Sequence, residues 1–124
     1  MKILRPNSLA TAQKIIGKTG ADQKSWVIMA QKAIGLTVEL PVALPAAQAN
    51  ILKQEALAVG ADAAVHAKTI SCEIPQTKVI LIGTLSQLFA LAQKLKFNIP
   101  KIKKYGQQLT NALHAKFLTT NKQT

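Results

Sequence analysis

The stretch KVILIGTLSQLFALAQKL, residues 78–95, decides the fold. Its first five residues, Lys78–Ile82, are almost continuously apolar, which predicts an interior strand that is covered on both faces. Gly83 supplies a turn, and Thr84 with Gln87 has the spacing of a capping box, so a helix is expected to follow. The apolar residues of that helix recur at helical spacing and predict one buried face: Leu85, Leu88, Phe89, Ala92 and Leu95. A strand that leads directly into an amphipathic helix indicates a mixed α/β domain.

Upstream of this stretch, the pattern predicts two more strands around the clearest helix of the chain. The segment GLTVEL, Gly35–Leu40, alternates and is rich in β-branched residues, which is typical of a strand. Pro45 suits a first helical position, and Gly60 suits the end of the helix. A short strand is predicted over Ala63–Val65. The buried face of the helix is predicted to consist of Ala49, Leu52, Ala56 and Val59. Because strand–helix–strand units favour parallel crossovers, residues 35–65 are predicted to contribute two parallel strands.

The remaining segments complete a predicted order of β-α-(α)-β-α-β-β-α-α. Lys2–Arg5 is a candidate strand, and Asn7 or Ser8 can cap the helix that follows it. A second short helical segment is expected after Asp22, and a last amphipathic helix over about 102–117. The predicted fold class is therefore α/β: a sheet of about four strands with helices packed on it. One domain is expected over residues 1–118, with residues 119–124 as a frayed tail.

Length and composition exclude several classes of protein. The chain has 124 residues, of which 48% are hydrophobic, so it suits one folded domain and not a (β/α)₈ barrel of about 250 residues. A single cysteine, Cys72, excludes an internal disulfide and a cysteine-based zinc site. We find no secretory apolar segment near Met1 and no apolar run of the roughly 18 residues that a membrane span needs. A cytoplasmic protein without a membrane partner is therefore expected.

The charge is strongly asymmetric along the chain. The formal net charge is +11, and the last acidic residue is Glu73. Eight lysines and no acidic residue lie between Lys78 and Thr124. Such asymmetry favours polyanionic or acidic partners. However, Arg5 is the single arginine, so the bidentate side chains that read bases are almost missing. A nucleic-acid partner is therefore an alternative and not the favoured hypothesis.

The residues that could carry catalysis or bind a metal are scattered. His66 and His114 have no partner at a metal-ligand spacing, and Cys72 lies in a polar loop without a neighbouring base. The segment after the Lys78–Ile82 strand lacks the remaining glycines of a phosphate-binding loop. The sequence therefore predicts no catalytic residue, no metal ligand and no cofactor. A small enzyme built from His66, Cys72 and Asp62 is the least favoured hypothesis.

The densest group of charges is a basic segment with interleaved aromatic residues. Its lysines are Lys94, Lys96, Lys101, Lys103 and Lys104, and Phe97 and Tyr105 lie among them. Lysines beside aromatic rings are one mark of single-strand binding. Like charges gain from spreading, and Asn98 and Pro100 reorient the chain between the two groups of lysines. We therefore predict dispersed lysines and a buried Phe97. An exposed Phe97 ringed by three or more lysines would instead favour nucleic-acid binding.

A polar set on the first two turns of the predicted helix is a second candidate surface. Asn50 and Gln54 are four residues apart, so their side-chain amides can bond each other across one turn. Lys53 and Glu55 suit a solvated face. The predicted interaction surface consists of these four residues and three lysines of the basic segment: Asn50, Lys53, Gln54, Glu55, Lys101, Lys103 and Lys104.

Three stretches of the chain resemble one known family. They are IMAQKAIGLTVEL (Ile28–Leu40), AAQANILKQEALAVGADAAV (Ala46–Val65) and TKVILIGTLSQLFALAQKLKF (Thr77–Phe97). Together they resemble the N-terminal extension that precedes the catalytic barrel in long bacterial dihydropteroate synthases. The resemblance covers residues 26–105, and the segment NILKQE with GADAAV carries most of it. The barrel would need at least about 200 further residues, and no pterin-site residue can be transferred to this chain.

The resemblance and the charge lead to different functions. The first hypothesis is a non-catalytic accessory or interaction domain, which the resemblance links to folate biosynthesis and to a pterin-barrel enzyme or another protein as partner. The alternative is a small basic domain that binds RNA or DNA. Steep salt dependence of binding would distinguish the alternative.

Overall fold

The computed structural model describes residues 1–118, which form five α-helices and five strands. The helices are α1 (Leu9–Gly17), α2 (Trp26–Ala33), α3 (Ala46–Ala58), α4 (Leu85–Leu95) and α5 (Pro100–Phe117). The strands are β1 (Gly35–Glu39), β2 (Leu44–Pro45), β3 (Asp62–Ala64), β4 (Gln76–Thr77) and β5 (Ile80–Thr84). A short 3₁₀ turn, Gln23–Ser25, precedes α2. The mixed α/β class is thus confirmed, and the predicted tail at 119–124 lies outside the described residues.

Side-chain hydrogen bonds cap α1 and α4 where the sequence predicts. Ser8 Oγ accepts a hydrogen bond from the Thr11 backbone N–H at 3.1 Å and caps α1. Thr84 Oγ1 accepts one from the Gln87 N–H at 3.1 Å, and Gln87 Oε1 accepts one from the Thr84 N–H at 2.9 Å. This reciprocal pair is the predicted capping box, which satisfies two backbone donors at the start of α4. Gly60 has φ +85 just after α3, a conformation that glycine adopts without strain.

The sheets differ from the prediction in size and direction. The main sheet has three strands in the order β1-β5-β3, and both pairs are antiparallel. A separate two-stranded sheet pairs β2 with β4, also antiparallel. The predicted sheet of about four strands is therefore not confirmed, and the two strands within residues 35–65 do not pair directly with each other. β1 and β3 do run in the same direction, but β5 returns between them and hydrogen-bonds to both.

Two predicted strands also differ from those in the structure. The Lys2–Arg5 segment forms no strand, and its Ile3 and Leu4 side chains are largely exposed. The predicted Lys78–Ile82 strand is an interior strand, as expected, but it lies at Ile80–Thr84. Helices cover only one of its faces, since the Leu81 side chain is 2% exposed and that of Ile82 is 45% exposed.

The core lies between the inner face of the main sheet and the helices. Leu52 and Ala56 of α3 are fully buried, as predicted, whereas Val59 is half-buried. The closest helix pair is α4 with α5, where Gly106 faces the backbone of α4. The other large buried side chains of this core include Ile34, Leu44, Leu85, Leu88, Leu91, Leu95 and Ile102. The core is thus mainly aliphatic, in accordance with the scarcity of aromatic residues.

Candidate interaction surfaces

Lys53, the first charged residue of the NILKQE segment, joins α3 to β3. Its Nζ atom lies 3.0 Å from Asp62 Oδ1 and donates a 2.6 Å hydrogen bond to the Ala63 carbonyl oxygen. Asp62 Oδ1 also accepts a 2.7 Å hydrogen bond from the Ala63 N–H. The hydrogen bond from Lys53 and then that from Ala63 lower the pKa of the Asp62 carboxyl, because both favour its charged form. Lys53 therefore connects elements of this chain and is only half-exposed.

Asn50 connects the same helix to the loop after β3. Its Nδ2 donates a 2.9 Å hydrogen bond to the Thr69 carbonyl oxygen and lies 3.9 Å from Cys72 Sγ. Within residues 1–118, the Asn50 amide therefore bonds to the loop and not to Gln54. Gln54 is exposed and makes no side-chain hydrogen bond within residues 1–118. Within residues 1–118, Gln54 is therefore the one member of the predicted polar set whose side-chain polar atoms all remain free for a partner.

Glu55 connects α3 to the end of α4. Its Oε1 lies 3.6 Å from Lys94 Nζ, and its Oε2 accepts a 3.3 Å hydrogen bond from Asn98 Nδ2. The same side of α3 reaches α5, because Tyr105 Oη donates a 3.1 Å hydrogen bond to Gln48 Oε1. Most polar residues of α3 thus hold helices and loops together, so most of the predicted surface on α3 has a structural role.

The turn between α4 and α5 overturns another prediction. The Phe97 side chain is 91% exposed, not buried, and Ile99 is 51% exposed. The helical phase explains this, because α4 buries Leu91 and Leu95, and a residue two positions after Leu95 points away from that face. The aromatic residue type suggested burial, but its position after the helix end leaves the ring in solvent.

The three lysines at the start of α5 spread over its solvent side instead of converging in one row. Lys101, Lys103 and Lys104 are all exposed, while Ile102 and Tyr105 are buried. Lys101 and Lys103 are two residues apart, which places them about 200° apart around the axis. Lys104 Nζ lies 5.1 Å from the centroid of the Tyr105 ring. The three predicted lysines thus cover much of the solvent side of the first turns of α5, as the predicted dispersal requires.

The outer face of the main sheet is a surface that the sequence analysis missed. In two cross-strand rows, Thr37, Ile82 and Asp62 lie side by side, as do Glu39, Ile80 and Ala64. Ile80 is half-buried, and the other five residues are exposed. The sheet therefore presents an apolar centre with a polar rim. The lack of alternation in the Lys78–Ile82 run had suggested two covered faces, so it gave no signal of this open face.

The edge of strand β1 adjoins that face. The Leu40 N–H donates to the Val79 carbonyl at 3.1 Å, and the Leu85 N–H donates to the Ile34 carbonyl at 2.9 Å. In this antiparallel register, even-numbered residues of β1 bond to β5, so the backbone groups of Gly35, Thr37 and Glu39 point away from the sheet.

A groove lies at the corner between this edge and the N-terminal segment. Its volume is about 770 Å³, and its lining includes Ile82 and Thr37 of the open face, Leu4, and the cations Arg5 and Lys116. The groove extends the apolar outer face toward a basic margin.

The residues of the enzyme hypothesis serve other purposes. His66 Nδ1 accepts a 3.0 Å hydrogen bond from the Lys68 N–H, and Asp62 is bonded to Lys53. Within residues 1–118, the structure brings together no group of three or more His, Cys, Asp and Glu side chains that could hold a metal ion.

An apolar cavity between the sheet, α3 and α5 has a volume of about 80 Å³, which is small beside the roughly 300–1,000 Å³ of ligand pockets.

In the described part of the chain, no helix has the length and hydropathy that a bilayer crossing requires. No protein-family model, curated protein or solved structure matches the chain.

Proposed function

We propose that this chain is a non-catalytic accessory domain that binds a pterin-barrel enzyme of folate biosynthesis. The open outer face of the main sheet carries the proposal, because Ile82 at its centre is 45% exposed and the neighbouring Ile80 is half-buried. The resemblance of Ala46–Val65 to extensions of dihydropteroate synthases supports the choice of partner. The contribution of the domain is to bind and position, not to catalyse.

The edge of β1 provides the directional part of the contact. Backbone donors and acceptors of Gly35, Thr37 and Glu39 face outward, and an edge strand of this kind can accept a further strand. A strand or loop of the partner would bond to this edge and lay its apolar side chains over Ile82. Main-chain hydrogen bonds would supply affinity, while the side chains of the outer face would supply specificity.

The charge of the adjoining groove selects the chemistry of the partner. Arg5 and Lys116 line the groove beside Ile82, and basic residues outnumber acidic residues by 16 to 5 in the whole chain. A partner with carboxylates opposite Arg5 and Lys116 would associate faster and in a defined orientation. The proposed site on the pterin-barrel enzyme is therefore an apolar strand or loop with acidic neighbours.

A binding measurement with matched variants tests this function. The chain is titrated with the purified dihydropteroate synthase barrel of the same organism and followed by sedimentation velocity. Ile82→Gln should weaken binding about tenfold, the effect of losing a central apolar contact. Phe97→Gln is the matched control, because it replaces another exposed apolar side chain without a change of charge, and it should leave binding within about twofold.

Two results would contradict the proposal. One is a lack of association with the barrel at protein concentrations of about 100 μM, where even weak specific complexes form. The other is a homodimer that Ile82→Gln dissociates, which would assign the open face to a second copy of this chain.

A further inference from the structure

The turn between α4 and α5 forms a second surface, separate from the open sheet face. We call it the lysine–phenylalanine turn, and it consists of Lys94, Lys96, Phe97, Ile99, Lys101, Lys103 and Lys104. Phe97 is 91% exposed and Ile99 is 51% exposed at its tip. Phe97 and Ile99 thus form a small exposed apolar patch within a basic segment.

The charge of residues 94–104 is almost uncompensated. Residues 94–104 contain five lysines and no acidic residue. Glu55 contacts this region from α3, and it does so through Lys94 and Asn98. The first turn of α5 adds the positive end of the helix dipole and contains no acidic residue. Since lysines are unfavourable beside that end, phosphate groups bound here would relieve the repulsion.

The ring of Phe97 is available for stacking. Within residues 1–118, Phe97 makes neither a ring–ring nor a cation–π contact, whereas Tyr105 is buried and lies under Lys104. Exposed aromatic rings beside lysines bind single strands by stacking on bases while the cations meet phosphates. Lys101, Lys103 and Lys104 spread over about 160° of the solvent side of α5 instead of forming one row, which suits a flexible single strand better than a straight duplex.

We propose that the lysine–phenylalanine turn binds single-stranded nucleic acid without sequence preference. One base stacks on Phe97, and the neighbouring phosphates pair with Lys101, Lys103 and Lys104. Sequence preference is not expected, because lysine lacks the planar fork with which arginine reads guanine. This site shares no residue with the open sheet face, so it stands or falls independently of the proposed accessory function.

The salt dependence of binding follows from the number of phosphates. For single strands, the slope of log K against log salt is about −0.7 per neutralised phosphate. Three phosphates predict a slope of about −2, so affinity should fall about 20-fold between 50 and 200 mM salt.

The test uses the full chain and a fluorescein-labelled oligodeoxythymidine of about 12 nucleotides, a length within the usual site size. Fluorescence anisotropy gives the affinity at several salt concentrations. Phe97→Gln and Phe97→Leu should each weaken binding at least about fivefold, because neither side chain stacks on a base. The triple variant K101Q/K103Q/K104Q should reduce the magnitude of the salt slope by about 2.

A matched triple variant controls for overall charge. K14Q/K18Q/K24Q removes the same charge from exposed lysines on and after α1, and it should leave the salt slope unchanged and the affinity within about twofold. Unfolding curves establish that each variant is folded, which is expected because every substituted side chain is exposed.

Several outcomes would overturn the inference. One is a lack of binding at 50 mM salt. Equal effects of the two triple variants, or an unchanged affinity of both Phe97 variants, would show that binding is only general polyelectrolyte attraction. Vesicles of phosphatidylserine and phosphatidylcholine provide the last comparison. The chain could bind these vesicles but not the oligonucleotide. If Phe97→Leu preserved that binding and Phe97→Gln abolished it, the turn would be assigned to a membrane surface.

Discussion

The ammonium of Lys53 lies 3.0 Å from the carboxylate of Asp62 and connects the middle of α3 to the first residue of β3. Both residues belong to Ala46–Val65, the segment on which the proposed link to dihydropteroate synthase extensions rests. Their contact gives part of the segment a structural explanation, since Lys53 of NILKQE meets Asp62 and Ala63 of GADAAV. The same hydrogen bond, together with that from the Ala63 N–H, lowers the pKa of Asp62.

Replacing Asp62 should change how stability depends on pH. The pKa of Asp62 is lowered in the folded chain, so its stabilising contribution is present above the unfolded pKa of about 3.9. That contribution is lost as pH falls through the lowered folded pKa. Asp62→Asn should therefore be less stable than the parent at pH 7, and the difference should shrink below about pH 4. Urea unfolding at both pH values measures this.

Lys53→Met provides the partner variant for this experiment. Because the Lys53 hydrogen bond is the largest cause of the lowered pKa, its loss should remove most of the same pH dependence. The double variant should then add little to either single one. Independent effects of the two substitutions would contradict the coupling.

The contact between α4 and α5 predicts a large effect of one methyl group. A Cβ atom at Gly106 would lie 2.8 Å from the Ala92 carbonyl oxygen and 3.0 Å from Leu95 Cβ. Because the nearest atom belongs to the backbone, the helices must separate, and Gly106→Ala should destabilise the fold by about 1–3 kcal/mol. Gly35→Ala is the control, since a Cβ there meets no atom within 4 Å, and its effect should stay within about 0.5 kcal/mol. Thermal or urea unfolding distinguishes them.

Two buried threonines should respond in opposite ways to the same substitution. Thr69 Oγ1 is buried without a hydrogen-bond partner, so Thr69→Val should be neutral or stabilising by about 1 kcal/mol. Thr77 Oγ1 accepts a 2.8 Å hydrogen bond from the His66 N–H and donates one of 2.8 Å to the Lys78 carbonyl. Thr77→Val leaves those groups without this partner and should destabilise by about 1–3 kcal/mol. Equal free energies of unfolding for the two variants would contradict this assignment.

Local signals made the helices predictable. Ser8, Asp22 and the Thr84–Gln87 pair each form the cap that their position suggests, because capping depends on residues within one turn of the chain. Phe97 could also have been predicted, since its offset from Leu95 places it off the buried face. The position of Phe97 just after the helix, and not the general tendency of phenylalanine to be buried, thus determines its exposure.

Strand pairing depended on distant parts of the chain and was not predictable in the same way. Gly35–Glu39 and Asp62–Ala64 were recognisable as strands, but nothing local to them determines that β5 inserts between them. The two-residue strands β2 and β4 carry no alternation at all. The exposure of Ile82 was unpredictable for a related reason. A continuous apolar run has the same pattern whether one face of the strand is covered or both.

Amide protection of β1 in the complex is the decisive test of whether the open sheet face binds the partner. The isotope-labelled chain is mixed with the dihydropteroate synthase barrel, and hydrogen exchange is followed by NMR. The amides of Thr37 and Glu39, which face outward in the free chain, should exchange quickly alone and at least about tenfold more slowly in the complex. The signals of Ile82 should shift on binding, while those of Phe97 stay unchanged. Unchanged exchange at Thr37 and Glu39 in a mixture where the two proteins associate would contradict the claim that the open sheet is the docking surface.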